Sequence, residues 1–173
     1  MYPLISSFVQ LVAHFVQQEL LATKTDTEEC RLILPYEKTD SNPDGADDDT
    51  RVDLCLRARE VGSPVGPQAN LRYTGMVCVF EVKRGSRRRD FVDARVQLLD
   101  YSRNIYANQC DRRFLWGLTC CGKIVNAYIV NNHRIYSSPS MNVAESSGRK
   151  EFIRLLVGWS LCTRGQLGFD ETI

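Results

Sequence analysis

The chain has 173 residues, 43% hydrophobic and 25% charged, the length and balance of one soluble domain with one core, which excludes a disordered or collagen-like chain. Its 22 basic and 21 acidic residues leave a net charge of +1, so any contact with nucleic acid or membrane has to come from a local patch. No apolar run approaches the roughly 18 residues of a membrane span, so no membrane partner is expected. The seven cysteines form no CxxC pair and read as reduced thiols of a cytoplasmic or nuclear protein that is not secreted.

The N-terminal MYPLISSFVQLVAHFVQQELL is apolar but has no basic leading segment, so it is not read as a signal peptide. Leu4, Phe8, Leu11, Val12, Phe15 and Glu19 recur at three- and four-residue steps and predict a helix over residues 3–22. A polar connection over 23–29 leads to a short strand, Arg31 to Tyr36, stopped by Pro35, and then to the loop TDSNPDGADDD. From Arg51 to Arg57 the residues alternate, with Val52, Leu54 and Leu56 on one face and Asp53 and Cys55 on the other. After the loop GSPVGPQAN, Met76 to Lys83 is apolar on both faces until Glu81, the pattern of a central strand covered on both sides.

Arg88 to Asn108 predicts a helix with Phe91, Ala94, Leu98, Tyr101 and Ile105 on its buried side. Strands are expected at Arg113 to Thr119 and Lys123 to Val130 around a CCGK turn, with a shorter one at Arg134 to Ser138 and a closing helix from Glu151 to Cys162. This order predicts a single α/β domain over 1–173, an α+β sandwich in which helices flank a mixed sheet.

The chemistry-bearing feature is Asp53 in one strand and Glu81-Val82-Lys83 at the end of the next. Alternation points Glu81 and Lys83 to the same side. Charges at the end of an apolar central strand are costly unless paired or bound to a metal. If Asp53 faces Glu81, two carboxylates and an ammonium converge. Such a set suits Mg²⁺ or Mn²⁺, with the lysine placed to orient or deprotonate a water. Gln97, at the margin of the following helix's buried face, can point back to the same place. The same residues also suit a plain Glu–Lys ion pair at a sheet edge with Asp53 capping a loop.

Helix, strand, strand with Asp, strand with Glu-x-Lys, helix with Gln, strand: this order resembles the PD-(D/E)xK nuclease-like superfamily. The resemblance implies Asp53 and Glu81 as metal ligands, Glu19 as a further ligand, and Lys83 and Gln97 as catalytic groups. Val52 stands where that pattern has proline. A second resemblance covers most of the chain from about Arg51. RVDLCL, VFEVKR, VQLLDYSRNIYANQCDRRFLWGLTCCGK and FIRLLVGWSLCTRGQLGFDETI look like the N-terminal, non-kinase part of fungal-type protein kinases. No Gly-rich phosphate loop, VAIK-type lysine strand or DFG is present, and His133-Arg134-Ile135 lacks the aspartate of a catalytic HRD. No kinase catalytic domain is therefore expected in this sequence. A kinase domain or another protein is an expected partner of a silent regulatory module.

The run KRGSRRR places Arg84, Arg87, Arg88 and Arg89 beside Lys83 at a helix start. These are candidate contacts to a DNA or RNA backbone. An import patch or a solvated turn is the plainer account of such a run. DSNPDG at 40–45 copies the first half of an EF-hand loop, but Arg51 stands where the bidentate Glu is needed, so calcium is not expected. The acidic Asp47, Asp48 and Asp49 would repel a polyanion. Neither a zinc site nor a serine hydrolase arrangement is expected, and Trp116 and Trp159 are assigned to packing.

Overall fold

The computed structural model describes residues 7–12, 14–15, 33–37, 52–58 and 73–172. Residues 7–12 and 14–15 are helical (α1). The sheet strands are β1 (Ile33–Glu37), β2 (Leu54–Ala58), β3 (Met76–Lys83), β4 (Leu115–Cys121), β5 (Ile124–Val130), β6 (Ile135–Ser137) and β7 (Met141–Asn142). Helix α2 (Arg88–Asn108) joins β3 to β4, and α3 (Ser146–Leu161) follows β7. The rest of the expected first helix with Glu19, both Gly/Pro-containing loops and the EF-hand-like segment with its acidic run lie outside the described residues.

The seven-stranded sheet runs β1-β2-β3-β4-β5-β6, and β7 also pairs with β5. β3 and β4 are parallel, and α2 makes the crossover that a parallel pair requires. Every other pairing is antiparallel, so the sheet is mixed, as expected. β6 and β7 pair with opposite ends of β5 and share its outer edge.

β3 is buried along its first seven residues, because both sheet faces are covered. On one face Leu54, Leu56, Cys78, Phe80, Val82, Leu118 and Cys120 pack with Val9 of α1 and with Phe152, Leu156 and Trp159 of α3. Phe80 and Trp159 meet edge to face at 6.1 Å, and Phe8 stacks on Phe152 at 5.7 Å. On the other face Cys55, Met76, Val79, Leu115, Tyr128 and Val130 pack against Leu98, Tyr101 and Ile105 of α2. Trp159 is in the core as expected, while Trp116 packs at its margin and donates from Nε1 to the Gln166 carbonyl at 3.1 Å.

Four boundaries differ from the sequence reading. Pro35 lies inside β1, opposite Leu56; β1 is the edge strand, where a missing N–H costs no ladder bond. Val52 precedes β2 and joins the α2-side core, so it does not share a face with Leu54 and Leu56. β4 runs on through Cys121 and turns at Gly122, whose φ of +63° favours glycine. Helix α3 starts at Ser146, five residues before the expected Glu151, because its first turn is polar and carries no apolar period to read.

The N-terminal end of the parallel β3–β4 pair is closed by Arg112. Its guanidinium donates to the carbonyls of Val77 (2.8 Å), Met76 (3.2 Å) and Leu167 (2.6 Å) and lies 3.9 Å from the Phe169 ring centroid. Burial lowers its pKa to about 10. Gln109 also donates to the Met76 carbonyl, at 2.9 Å.

Candidate functional site

β3 contains an extra residue relative to β2. Leu56 pairs with Cys78 and Arg57 with Met76, which leaves Val77 as a bulge. Beyond it the ladder is regular, with Cys55 opposite Val79 and Leu54 opposite Phe80. Carried one residue further, this register sets Asp53 opposite Glu81. Glu81 and Lys83 then follow Val79 on the α2 side of the sheet. Asp53, Glu81, Lys83 and Gln97 are thereby brought to one end of one sheet face.

Asp53 is buried, and its Oδ2 accepts the Val82 backbone N–H at 2.9 Å. Glu81 is 2% exposed. Its Oε1 lies 2.7 Å from Lys83 Nζ, and its Oε2 accepts the Tyr101 hydroxyl at 2.7 Å. Lys83 Nζ also donates to Gln97 Oε1. Gln97 is on the exposed margin of α2, and its amide does turn back to the lysine. The Glu–Lys pair of the plainer reading therefore exists, but on an interior strand and inside a larger network.

Burial and repulsion from Asp53 push the Glu81 carboxyl up to about 7, against the lowering effect of its bonds to Lys83 and Tyr101. A carboxyl in that range takes or gives a proton near neutral pH. Thr119 lies beside Glu81 in the parallel register, and Cys121 beside Lys83. Burial, with the charges of Asp90 and Glu81, raises the Cys121 thiol to about 11, and burial raises Cys120 to about 12. Neither is a thiolate nucleophile at neutral pH.

The sequence reading places Tyr101 only on the buried side of α2. Its position four residues after Gln97 sets both on adjacent turns of one helix face, a spacing that marks the neighbourhood but not the bond to Glu81. Glu19 lies outside the described residues. Arg84, Arg87, Arg88 and Arg89 are exposed around the start of α2. Arg87 caps that helix, its backbone N–H donating to Asp90 Oδ2 at 2.8 Å, and Arg89 pairs with Asp93 at 3.4 Å. Gly85 lets Asp90 reach the cap, since a Cβ there would sit 2.4 Å from Asp90 Oδ2. His133 and Arg134 form the β5–β6 turn, where both backbone N–H groups donate to Asn131 Oδ1.

Among the described residues no group of three or more His, Cys, Asp or Glu side chains is gathered as a metal cage. No described helix is long and apolar enough to cross a membrane.

No curated protein and no solved structure matches the chain. Residues 51–173, from just before β2 through the segment closed by Arg112, match the fungal protein kinase family. That stretch is most of the sequence, and the chain belongs to the fungal protein kinase family.

Proposed function

We propose that the chain is a PD-(D/E)xK nuclease-like domain that acts on the phosphodiester backbone of DNA or RNA with Mg²⁺ or Mn²⁺. The observation that carries this reading is the convergence of Asp53, Glu81, Lys83 and Gln97 on one end of one sheet face. The donor set fits such an ion: two opposed carboxylates suit a hard cation that keeps several waters. Burial, and after it repulsion from Asp53, raises the Glu81 pKa, and a divalent ion between the two carboxylates would offset that repulsion. When bound, that ion would neutralise the charge that builds on a phosphate as its ester bond breaks. Asp53 and Glu81 would hold it, the Lys83 ammonium would orient the attacking water by donating to it, and Gln97 holds Lys83 in place. Arg84, Arg87, Arg88 and Arg89 contact the phosphate backbone beside the site.

Cleavage assays and thermal shift with Mg²⁺ and Mn²⁺ test this together. Asp53→Ala is expected to lose both cleavage and the metal-induced shift, and Lys83→Ala to lose cleavage while keeping the shift. An ion at a hundredfold excess over Kd raises stability by about 2.7 kcal/mol. Wild-type protein that shows no shift and cuts neither single- nor double-stranded DNA or RNA would sink the enzyme reading.

A second reading is favoured by the closure of Glu81, which is 2% exposed with both oxygens engaged. In it the domain is a catalytically silent module that regulates a kinase domain or another protein, and the four polar residues serve as an internal clasp. It expects stability losses from Lys83→Ala and Gln97→Ala without any response to metal.

A further inference from the structure

Asp53 and Glu81 share a property that the metal-site reading leaves unused. Each commits one oxygen to a buried protein donor: Asp53 Oδ2 to the Val82 N–H at 2.9 Å, and Glu81 Oε2 to the Tyr101 hydroxyl at 2.7 Å. Tyr101 is 2% exposed, so its hydroxyl has no route to solvent. The other Glu81 oxygen is held by Lys83, whose side chain is 25% exposed. An arriving cation repels the ammonium and leaves the neutral phenol in place. Lys83 has a flexible stem and a second acceptor in Gln97, so it yields while Tyr101 stays.

We propose that Tyr101 makes Glu81 a one-oxygen ligand and thereby sets the site against Ca²⁺ and in favour of Mg²⁺ or Mn²⁺. The proposal rests on the metal-site reading above. Ca²⁺ takes six to eight oxygens and gains from two-oxygen chelation by a carboxylate, whereas Mg²⁺ takes six in a strict octahedron and keeps its waters. With Tyr101 on Oε2 and the Val82 N–H on Asp53 Oδ2, two-oxygen chelation by either carboxylate has to share an oxygen that is already hydrogen-bonded, which disfavours it. Tyr101 is thus a positioning residue that acts through Glu81.

Titrations of the wild type, Tyr101→Phe and Lys83→Met with MgCl₂, MnCl₂ and CaCl₂ test this, read by calorimetry and thermal shift rather than by cleavage. Tyr101→Phe frees Oε2 and is expected to raise affinity for Ca²⁺ relative to Mg²⁺ by about tenfold. Lys83→Met keeps the Tyr101 bond and is expected to hold the wild-type ratio with Mg²⁺ affinity equal or tighter. A purely structural tyrosine would weaken both ions alike. An unchanged Ca²⁺/Mg²⁺ ratio in Tyr101→Phe overturns the proposal and leaves the metal site standing. A ratio that collapses in Lys83→Met overturns it too, even where the phenylalanine variant folds poorly. Wild type that binds none of the three ions overturns the site reading and this proposal with it.

Discussion

Asp53 Oδ2 and the Val82 N–H lie 2.9 Å apart, so one carboxylate is both the last rung between β2 and β3 and a wall of the candidate site. Removing it leaves a buried N–H without its acceptor. Asp53→Ala is expected to cost about 1–3 kcal/mol in a denaturant titration. Asp53→Asn keeps an acceptor in place and should cost far less. Because Asp53 is also a cause of the raised Glu81 pKa, the asparagine variant should lower that pKa, which carboxyl NMR titration would read. Equal losses in the two variants would show that the bond to Val82 contributes nothing.

Glu81 makes stability fall with rising pH. Its folded pKa of about 7 stands above the ordinary carboxyl value of 4.5, so the native state holds the proton more tightly than the unfolded chain. The resulting contribution is full below about pH 4.5 and is lost as pH rises through about 7, with a size on the order of 1–3 kcal/mol. Glu81→Gln, which cannot titrate, should flatten the fall in melting temperature between about pH 5 and pH 8. A wild type and a glutamine variant with parallel pH profiles would contradict this.

Phe80 is fully buried between the sheet and Trp159. Phe80→Ala is expected to cost roughly 3–5 kcal/mol. Its side chain lies on the α3 side, away from Asp53 and Glu81. The Glu81 titration of the folded variant should therefore be unchanged, and a shifted one would mean that the two faces are coupled.

Two glycines of α3 should respond in opposite directions to alanine. A Cβ at Gly148 would lie 2.2 Å from the Asn142 carbonyl oxygen, and backbone cannot step aside. Gly148→Ala should therefore push α3 off β7 and lower the melting temperature by several degrees, on the scale of 1–3 kcal/mol for an overpacked contact. At Gly158 a Cβ meets nothing within 4 Å. Gly158→Ala should stabilise by about 0.5–1 kcal/mol through helix propensity. Matching signs in the two variants would refute the packing described for Gly148.

The sequence carried β3 and α2 residue for residue, because each has a strong apolar period and a clear stop at Lys83 or at Asn108. Val52, Leu54, Val77, Val79, Phe80, Leu98 and Leu115, singled out by apolar pattern, are all buried. β7 was invisible: two residues carry no period, and their pairing with β5 is a tertiary effect. The same holds for the site. Asp53, Glu81 and Lys83 were legible from alternation, but the Tyr101 bond depends on how closely α2 approaches the sheet. That approach is set at Gly117, where a Cβ would stand 2.7 Å from Leu98 Cδ1, a packing fact with no signature in local pattern.

The Val77 bulge makes β2 and β3 unequally tolerant of length change. Losing Val77 itself would restore a plain ladder and leave everything from Cys78 onward in phase. Losing any one residue from Cys78 to Phe80 would do the same, since four residues between Met76 and Glu81 face only three between Asp53 and Arg57; losing one from Leu54 to Leu56 would instead rotate Asp53 onto the α3 side, among Val82, Leu118 and Trp159. A carboxylate would then enter an apolar layer while Glu81 and Lys83 stayed on the α2 face. Single-residue deletions thus divide by strand, with β3 able to absorb one and β2 none, a boundary set by backbone parity alone.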